Sequence, residues 1–146
     1  MRTQTIMLLF SLVFLSASAY AEIEKFGNVD VNYNVITTDA LSPSIAKAYG
    51  IERNKHRLLL TVAVSRTNEI GLPVPVPAAV TARTVNLMAQ EREIPMRNIS
   101  ENGANYYLGE FDFARPDILR FTLNVSEAGA GKPHQIEFER NFDESR

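Results

Sequence analysis

Apolar and polar residues alternate along most of the chain. Val29, Val31, Tyr33 and Val35 alternate with Asn28, Asp30, Asn32 and Asn34. Period two with one apolar face marks a half-buried strand, so the pattern predicts a first strand over 28–37. Leu58, Leu60, Val62 and Val64 alternate with Leu59, Thr61, Ala63 and Ser65, a strand apolar on both faces at its start and therefore central. Further strands are predicted over 80–89, with Val85, Leu87 and Ala89 on one side, over 94–99, and at Tyr107, Gly109, Phe111 and Phe113. Leu119, Phe121, Leu123 and Val125 form the clearest core strand, and Ile136, Phe138 and Phe142 belong to a last one. Turn-prone Glu101-Asn102-Gly103, Ala114-Arg115-Pro116 and Ala128–Pro133 separate them. About seven strands with such spacing predict a mainly all-β chain folded as an antiparallel β-sandwich, with an eight-stranded barrel as the competing closure. The faces Leu58–Val64, Leu119–Val125 and Ile136–Phe142 are expected to line the space between sheets.

Two segments break the alternation. Ser42-Pro43-Ser44-Ile45-Ala46-Lys47-Ala48-Tyr49-Gly50 predicts one short helix between the first two strands. Ser42 suits the N-cap, Pro43 the first helical position, and Gly50 the left-handed residue that ends a helix. Ile45, Ala48 and Tyr49 fall on one face, which must pin so short a helix to the body. Leu72-Pro73-Val74-Pro75-Val76-Pro77 places proline at alternate positions, so all N–H donors are missing along one edge. It is expected to be an edge strand or an extended loop that resists edge-to-edge aggregation; a ligand for a proline-recognising domain is the functional alternative.

The first 21 residues change the picture of where this domain works. Arg2, the uncharged apolar run Ile6–Leu15 and the ending Ala19-Tyr20-Ala21 have the three regions of a cleavable secretory signal. The apolar run is too short to span a bilayer, which takes about 20 residues. Cleavage leaves residues 22–146 as a single domain, located in the periplasm without a membrane anchor. With Arg2 the leader's one charge, the net charge moves from −2 to −3, which argues against nucleic acid as a partner. The chain has no cysteine, so a lipoprotein anchor, thiolate catalysis and Cys-ligated metal are excluded.

Few residue groupings in the chain carry chemistry. His56 and His134 lie far apart, with no ligand at metal-binding spacing, and read as surface histidines. Glu91 with Glu93, and Glu137 with Glu139, fall on the wet side of strands rather than forming an acid/base pair. No nucleophile elbow or phosphate loop is present, so no catalytic residue, metal or cofactor is expected. Asn98-Ile99-Ser100 and Asn124-Val125-Ser126 match the glycosylation pattern, but the leader looks bacterial and neither is expected to be used. Tyr106 and Tyr107 with Phe111 and Phe113 offer an aromatic face for a partner, against the reading that their alternation makes half of them core. The most unusual local feature is Arg53-Asn54-Lys55-His56-Arg57 beside Tyr49. Three fixed cations within five residues are suited to holding an anionic group, so Tyr49, Arg53, Lys55, His56 and Arg57 are the candidate binding residues; the alternative is an exposed, solvated loop.

Leu41–Arg53, above all the helix leading into Tyr49-Gly50-Ile51 and Arg53, and Tyr106-Tyr107-Leu108-Gly109-Glu110-Phe111 carry a resemblance. Over nearly the whole mature chain the sequence resembles an uncharacterised family of small periplasmic proteobacterial proteins, catalogued only as a domain of unknown function. The resemblance implies an envelope location and an immunoglobulin-like sandwich. It implies no reaction and no functional residues. The expectation is a soluble periplasmic module that binds a protein or another envelope component, with a small-ligand carrier holding an apolar pocket, or an enzyme, as rivals.

Overall fold

A computed structural model describes residues 21–128 and 131–143. All but the last residue of the expected leader lies outside them, as do Gly129, Ala130 and residues 144–146. The strands are β1 (Glu22–Phe26), β2 (Val29–Thr37), β3 (Arg57–Thr67), β4 (Pro73–Pro75), β5 (Ala78–Val85), β6 (Glu91–Ile94), β7 (Met96–Glu101), β8 (Ala104–Asp112), β9 (Asp117–Glu127) and β10 (His134–Phe142). They form two antiparallel sheets. One runs β1-β2-β3-β8-β7 with β4 beside the end of β3, the other β10-β9-β5-β6. This is the expected immunoglobulin-like sandwich, an open pair of sheets rather than a barrel.

The expected faces line its interior. Leu58, Leu60, Val62 and Val64 of β3 meet Leu119, Phe121, Leu123 and Val125 of β9 and Ile136 and Phe138 of β10 in one buried cluster. Phe121 stacks on Phe138 with ring centroids 4.9 Å apart, and Tyr33 lies 4.6 Å from Phe138. Aromatic pairs at such separations contribute about 0.5–1.5 kcal/mol beyond the area they bury.

Ten strands appear among the described residues where about seven were expected, for three separable reasons. β1 is exposed along almost its whole length, so it carries no alternating signal; the strand expected first is β2, and the helix follows the second strand. The proline segment supplies β4, which pairs with Ser65–Thr67 of β3. Val76 donates to the Val64 carbonyl at 3.1 Å, so the valines face β3 while the prolines, lacking donors, face away. The strand expected over 94–99 divides at Pro95 into β6 and β7, which belong to different sheets. β5 also stops at Val85 rather than Ala89. The Asn86 carboxamide accepts from the amides of Met88 (3.0 Å) and Gln90 (2.9 Å), closing a turn with Ala89 at φ 59°, and Leu87 and Met88 are left exposed.

The strand change at Pro95 requires a glycine. A Cβ on Gly109 of β8 would lie 2.5 Å from the Met96 sulfur and 2.6 Å from Ile94 Cγ2. The flanks of Pro95 therefore rest on bare backbone, and this side of the sandwich is closed by continuous chain.

Candidate functional site

The segment between β2 and β3 builds the site. Thr38–Ala40 make one 3-10 turn, and α1 (Pro43–Tyr49) follows. Ser42 Oγ accepts from the Ile45 amide at 3.3 Å. At the other end Gly50 sits at φ 64°, ψ 36°. The Gly50 amide donates to Lys47 O (3.3 Å) and that of Ile51 to Ala46 O (2.8 Å). These are the two bonds of a Schellman cap, and only glycine enters that conformation without strain. The helix lies on the outer face of the larger sheet, where Ile45, Ala46, Tyr49 and Ile51 cluster with Leu59 and Leu108. Leu59 is the reason β3 is apolar on both faces. Ala46 rather than Ala48 completes the buried stripe; the two flank it on opposite sides, and the sheet covers only one.

The five candidate residues separate into groups. Tyr49 is buried, and its hydroxyl donates to Glu101 Oε2 at 3.0 Å. Burial first, and the bond to Glu101 second, push its phenol well above the usual range. Arg53 turns back onto the chain before the helix, with Nε donating to Leu41 O (2.7 Å) and Nη2 to Asp39 O (2.9 Å). Arg57 bonds Asp112 at 2.8 Å and lies 3.7 Å from Glu52. Its hydrogen bond to Asp112 holds that carboxyl below the usual range and raises the guanidinium. Lys55 and His56 are exposed at the tip of the loop.

Hydrogen bonds from Thr38, Phe113 and Arg115 tie this tip down. Buried Thr38 donates through its hydroxyl to Asn54 O (3.1 Å) and accepts from the Asn54 amide (2.9 Å). Phe113 donates its amide to His56 O at 2.9 Å. Arg115, which sequence reasoning did not single out, donates to Lys55 O (3.3 Å) and Asp143 O (2.8 Å) and lies 5.4 Å above the Phe113 ring. Only its place in the break after β8 hinted at a special role.

Arg115 also borders a cleft of about 570 Å³. One wall is Val35, Ile36, Thr37 and Ala40, the other Glu139–Asp143 of β10 and the residue after it. Glu22 closes the near end, its carboxylate accepting from the Tyr33 hydroxyl at 2.6 Å and from Arg140 at 2.7 Å. The basic tip and the cleft thus form one face. A second cleft, of about 350 Å³, opens at the β5–β6 turn and reaches Phe111, Leu119 and Thr84.

His134 is half-buried rather than on the surface. It stacks on Phe26 (4.3 Å) with Nε2 3.7 Å from Glu127, beyond hydrogen-bond length, and Glu127 is buried and bonded to Arg66. This group joins the two sheets. No three His, Cys, Asp or Glu among the described residues are placed to hold a metal ion, and no described helix is long and apolar enough to cross a membrane.

A DUF4426 family protein of Pseudomonas aeruginosa has a similar crystal structure, 28% identical, with a TM-score of 0.71 over 86% of this chain and 97% of that one. Two structures of FetP from uropathogenic Escherichia coli, one a copper-bound variant, are 11% identical with TM-scores of 0.58 and 0.59. They cover 84% and 85% of this chain and 96% and 95% of theirs, and share the fold alone. No curated protein matches the sequence. The model of the domain of unknown function DUF4426 matches residues 23–143, and the chain belongs to that family.

Proposed function

We propose that this chain is an exported binding module of the bacterial envelope, one domain over 22–146. It docks a protein partner on the face formed by the Lys55–His56 tip and the cleft between β2 and β10. The observation that carries the reading is the division of labour in the basic loop. Arg53 and Arg57 spend their donors inside the chain, Tyr49 anchors the helix, and the rigid tip is left to present Lys55 and His56. A loop tied by hydrogen bonds from Thr38, Arg53, Phe113 and Arg115 keeps its shape on binding, which lowers the ordering cost of association. The leader at Met1–Ala21 supports a periplasmic location, as does the fold shared with FetP, which has been crystallised after expression in the periplasm.

The test is crosslinking in intact cells followed by recovery of the tagged chain, with wild type beside Lys55→Glu/His56→Glu. A crosslinked partner lost in the double variant supports the reading; the same crosslinks from both would refute it. The cleft over Phe111 and Leu119 favours the second reading, a small-ligand carrier. A molecule retained by wild type in native mass spectrometry and lost on Thr84→Trp would favour that reading.

A further inference from the structure

β2 outruns its neighbour. β1 pairs with β2 from Phe26↔Val29 to Glu22↔Tyr33, whereas β2 pairs with β3 on to Thr37↔Leu58. The last four residues of β2, Asn34 to Thr37, therefore have a strand on one side only among the described residues. Which of their backbone groups face the open side follows from one bond. Thr67 donates to Asn28 O at 2.7 Å, so Asn28 faces β3. The register is continuous from there, and in an antiparallel ladder alternate residues face alternate neighbours. Asn34 and Ile36 thus bond β3, while Val35 directs both N–H and C=O away from it and Thr37 its N–H, the Thr37 carbonyl closing the 3-10 turn that follows. The Val64–Val76 bond agrees, since it puts the even residues of β3 toward β4 and the odd ones toward β2. Both Val35 and Thr37 line the 570 Å³ cleft.

We infer that this edge receives an extended peptide segment of a partner protein, which adds to the larger sheet as a continuation of β1. The inference rests on the binding reading above and names its partner's chemistry. Three backbone groups in strand geometry, the Val35 N–H and C=O and the Thr37 N–H, have no strand partner among the described residues, and their spacing matches a peptide backbone. Side chains opposite Val35 and Thr37 point to the same face as those residues, into the cleft toward Phe142, and so must be apolar at alternate positions. The added strand runs antiparallel to β2, which brings its N-terminal end to Thr37. There Arg115 gives its donors to backbone carbonyls rather than to a carboxylate, with Lys55 beside it. An acidic residue at that end of the segment completes the match.

A substitution exists that blocks the edge and spares the fold. Thr37 has φ −73° and ψ 141°, and its side chain makes no cap bond. Proline holds φ near −65°, and the N–H it removes is the one directed at the cleft. Thr37→Ala keeps that N–H. The probe is the acetylated, amidated peptide Asp-Asp-Val-Thr-Val-Thr, titrated into ¹⁵N-labelled protein. Binding to wild type and Thr37→Ala, slowed exchange of the Val35 and Thr37 amides, and at least tenfold weaker binding to Thr37→Pro are expected. Replacing both probe aspartates by lysine should weaken it as much. No binding to wild type, or equal binding to Thr37→Pro, would overturn strand addition. If Lys55→Glu weakens a probe that Thr37→Pro still binds, the binding face survives and the β2 edge does not.

Discussion

Arg53→Ala asks whether the basic loop holds its cations for the fold or for a ligand. The guanidinium bonds Leu41 O at 2.7 Å in a partly buried setting and Asp39 O at 2.9 Å in an exposed one. Leu41 is itself 4% exposed, so water cannot easily replace the first bond. A bond of that kind to a charged donor contributes about 1.5 kcal/mol, and the exposed one about 0.5. Arg53→Ala should therefore cost about 2 kcal/mol. For a domain of this size that lowers Tm by roughly 6–12 °C. Arg53→Lys, with one donor atom, should recover about half. Arg57→Ala breaks pairs with carboxylates that are both 68% exposed, and exposed pairs contribute at most about 1 kcal/mol. The assay is thermal unfolding by circular dichroism, with hydrogen exchange at the Ile45 and Ala46 amides as a local readout. If Arg53→Ala is no less stable than Arg57→Ala and the helix amides exchange unchanged, the donors do not anchor the segment. The guanidinium would then be free for an anion.

The remaining predictions concern the frame. Gly109→Ala drives a methyl into Met96 and Ile94 and should cost about 1–3 kcal/mol, read from a urea midpoint; adding Met96→Ala should recover part of it, and no change in either would show that the corner is loose. Arg66→Ala removes the partner of buried Glu127 and should cost about 2 kcal/mol, less than for a fully buried pair because Arg66 is half exposed; a Glu127→Gln background should shrink that cost, and an unchanged cost would dismiss the pair. The Tyr33 and Tyr49 phenols are raised by burial first and then by Glu22 and Glu101. In the unfolded chain they ionise near 10, so the stability they add is intact below pH 10 and is lost as pH rises above it. Chemical denaturation at pH 9 and 11 should show that loss, and Tyr33→Phe with Tyr49→Phe should flatten it.

The sequence made legible whatever its local chemistry determined alone. The helix was legible to the residue, because Ser42, Pro43 and Gly50 each act on backbone groups within one turn. The centrality of β3 was legible too, though not its ends, because Leu59 makes its start apolar on both faces and α1 covers that outer face. β1 was hidden because a strand with nothing to bury leaves no pattern, and its edge position is visible only in the pairing. Pro95 was read through rather than as a change of sheet, since nothing before Gly109 says that two strands cross there. For the site, the cluster of cations was visible, but which of them carry the loop depended on carbonyls at Asp39 and Leu41, and backbone acceptors are silent in a sequence. Arg115 was invisible for the same reason.

The two sides of the sandwich are built unequally, and the difference places the site. On one side the chain itself passes between sheets at Pro95, over a glycine that permits close approach. The crossing fixes that corner, and the smaller cleft beside it, at the β5–β6 turn, lies between elements the chain itself ties together. On the other side β1 and β10 are held by side chains alone, with Phe26 stacked on His134 and Glu22 bonded to Arg140. That stitching ends at Glu22, the residue where the β1–β2 ladder also ends. Beyond it β2 continues for four residues, carried among the described residues by β3 alone, and its far end is fixed by Thr38 and Asn54. An unpaired edge is normally blunted by charge, proline or a bulge, and β4 shows this chain using proline for that purpose. Val35 and Thr37 themselves carry neither charge nor proline. Their edge opens into the 570 Å³ cleft, with Arg115 and Arg140 among the lining side chains, on the side of the molecule where no described chain passes between the sheets.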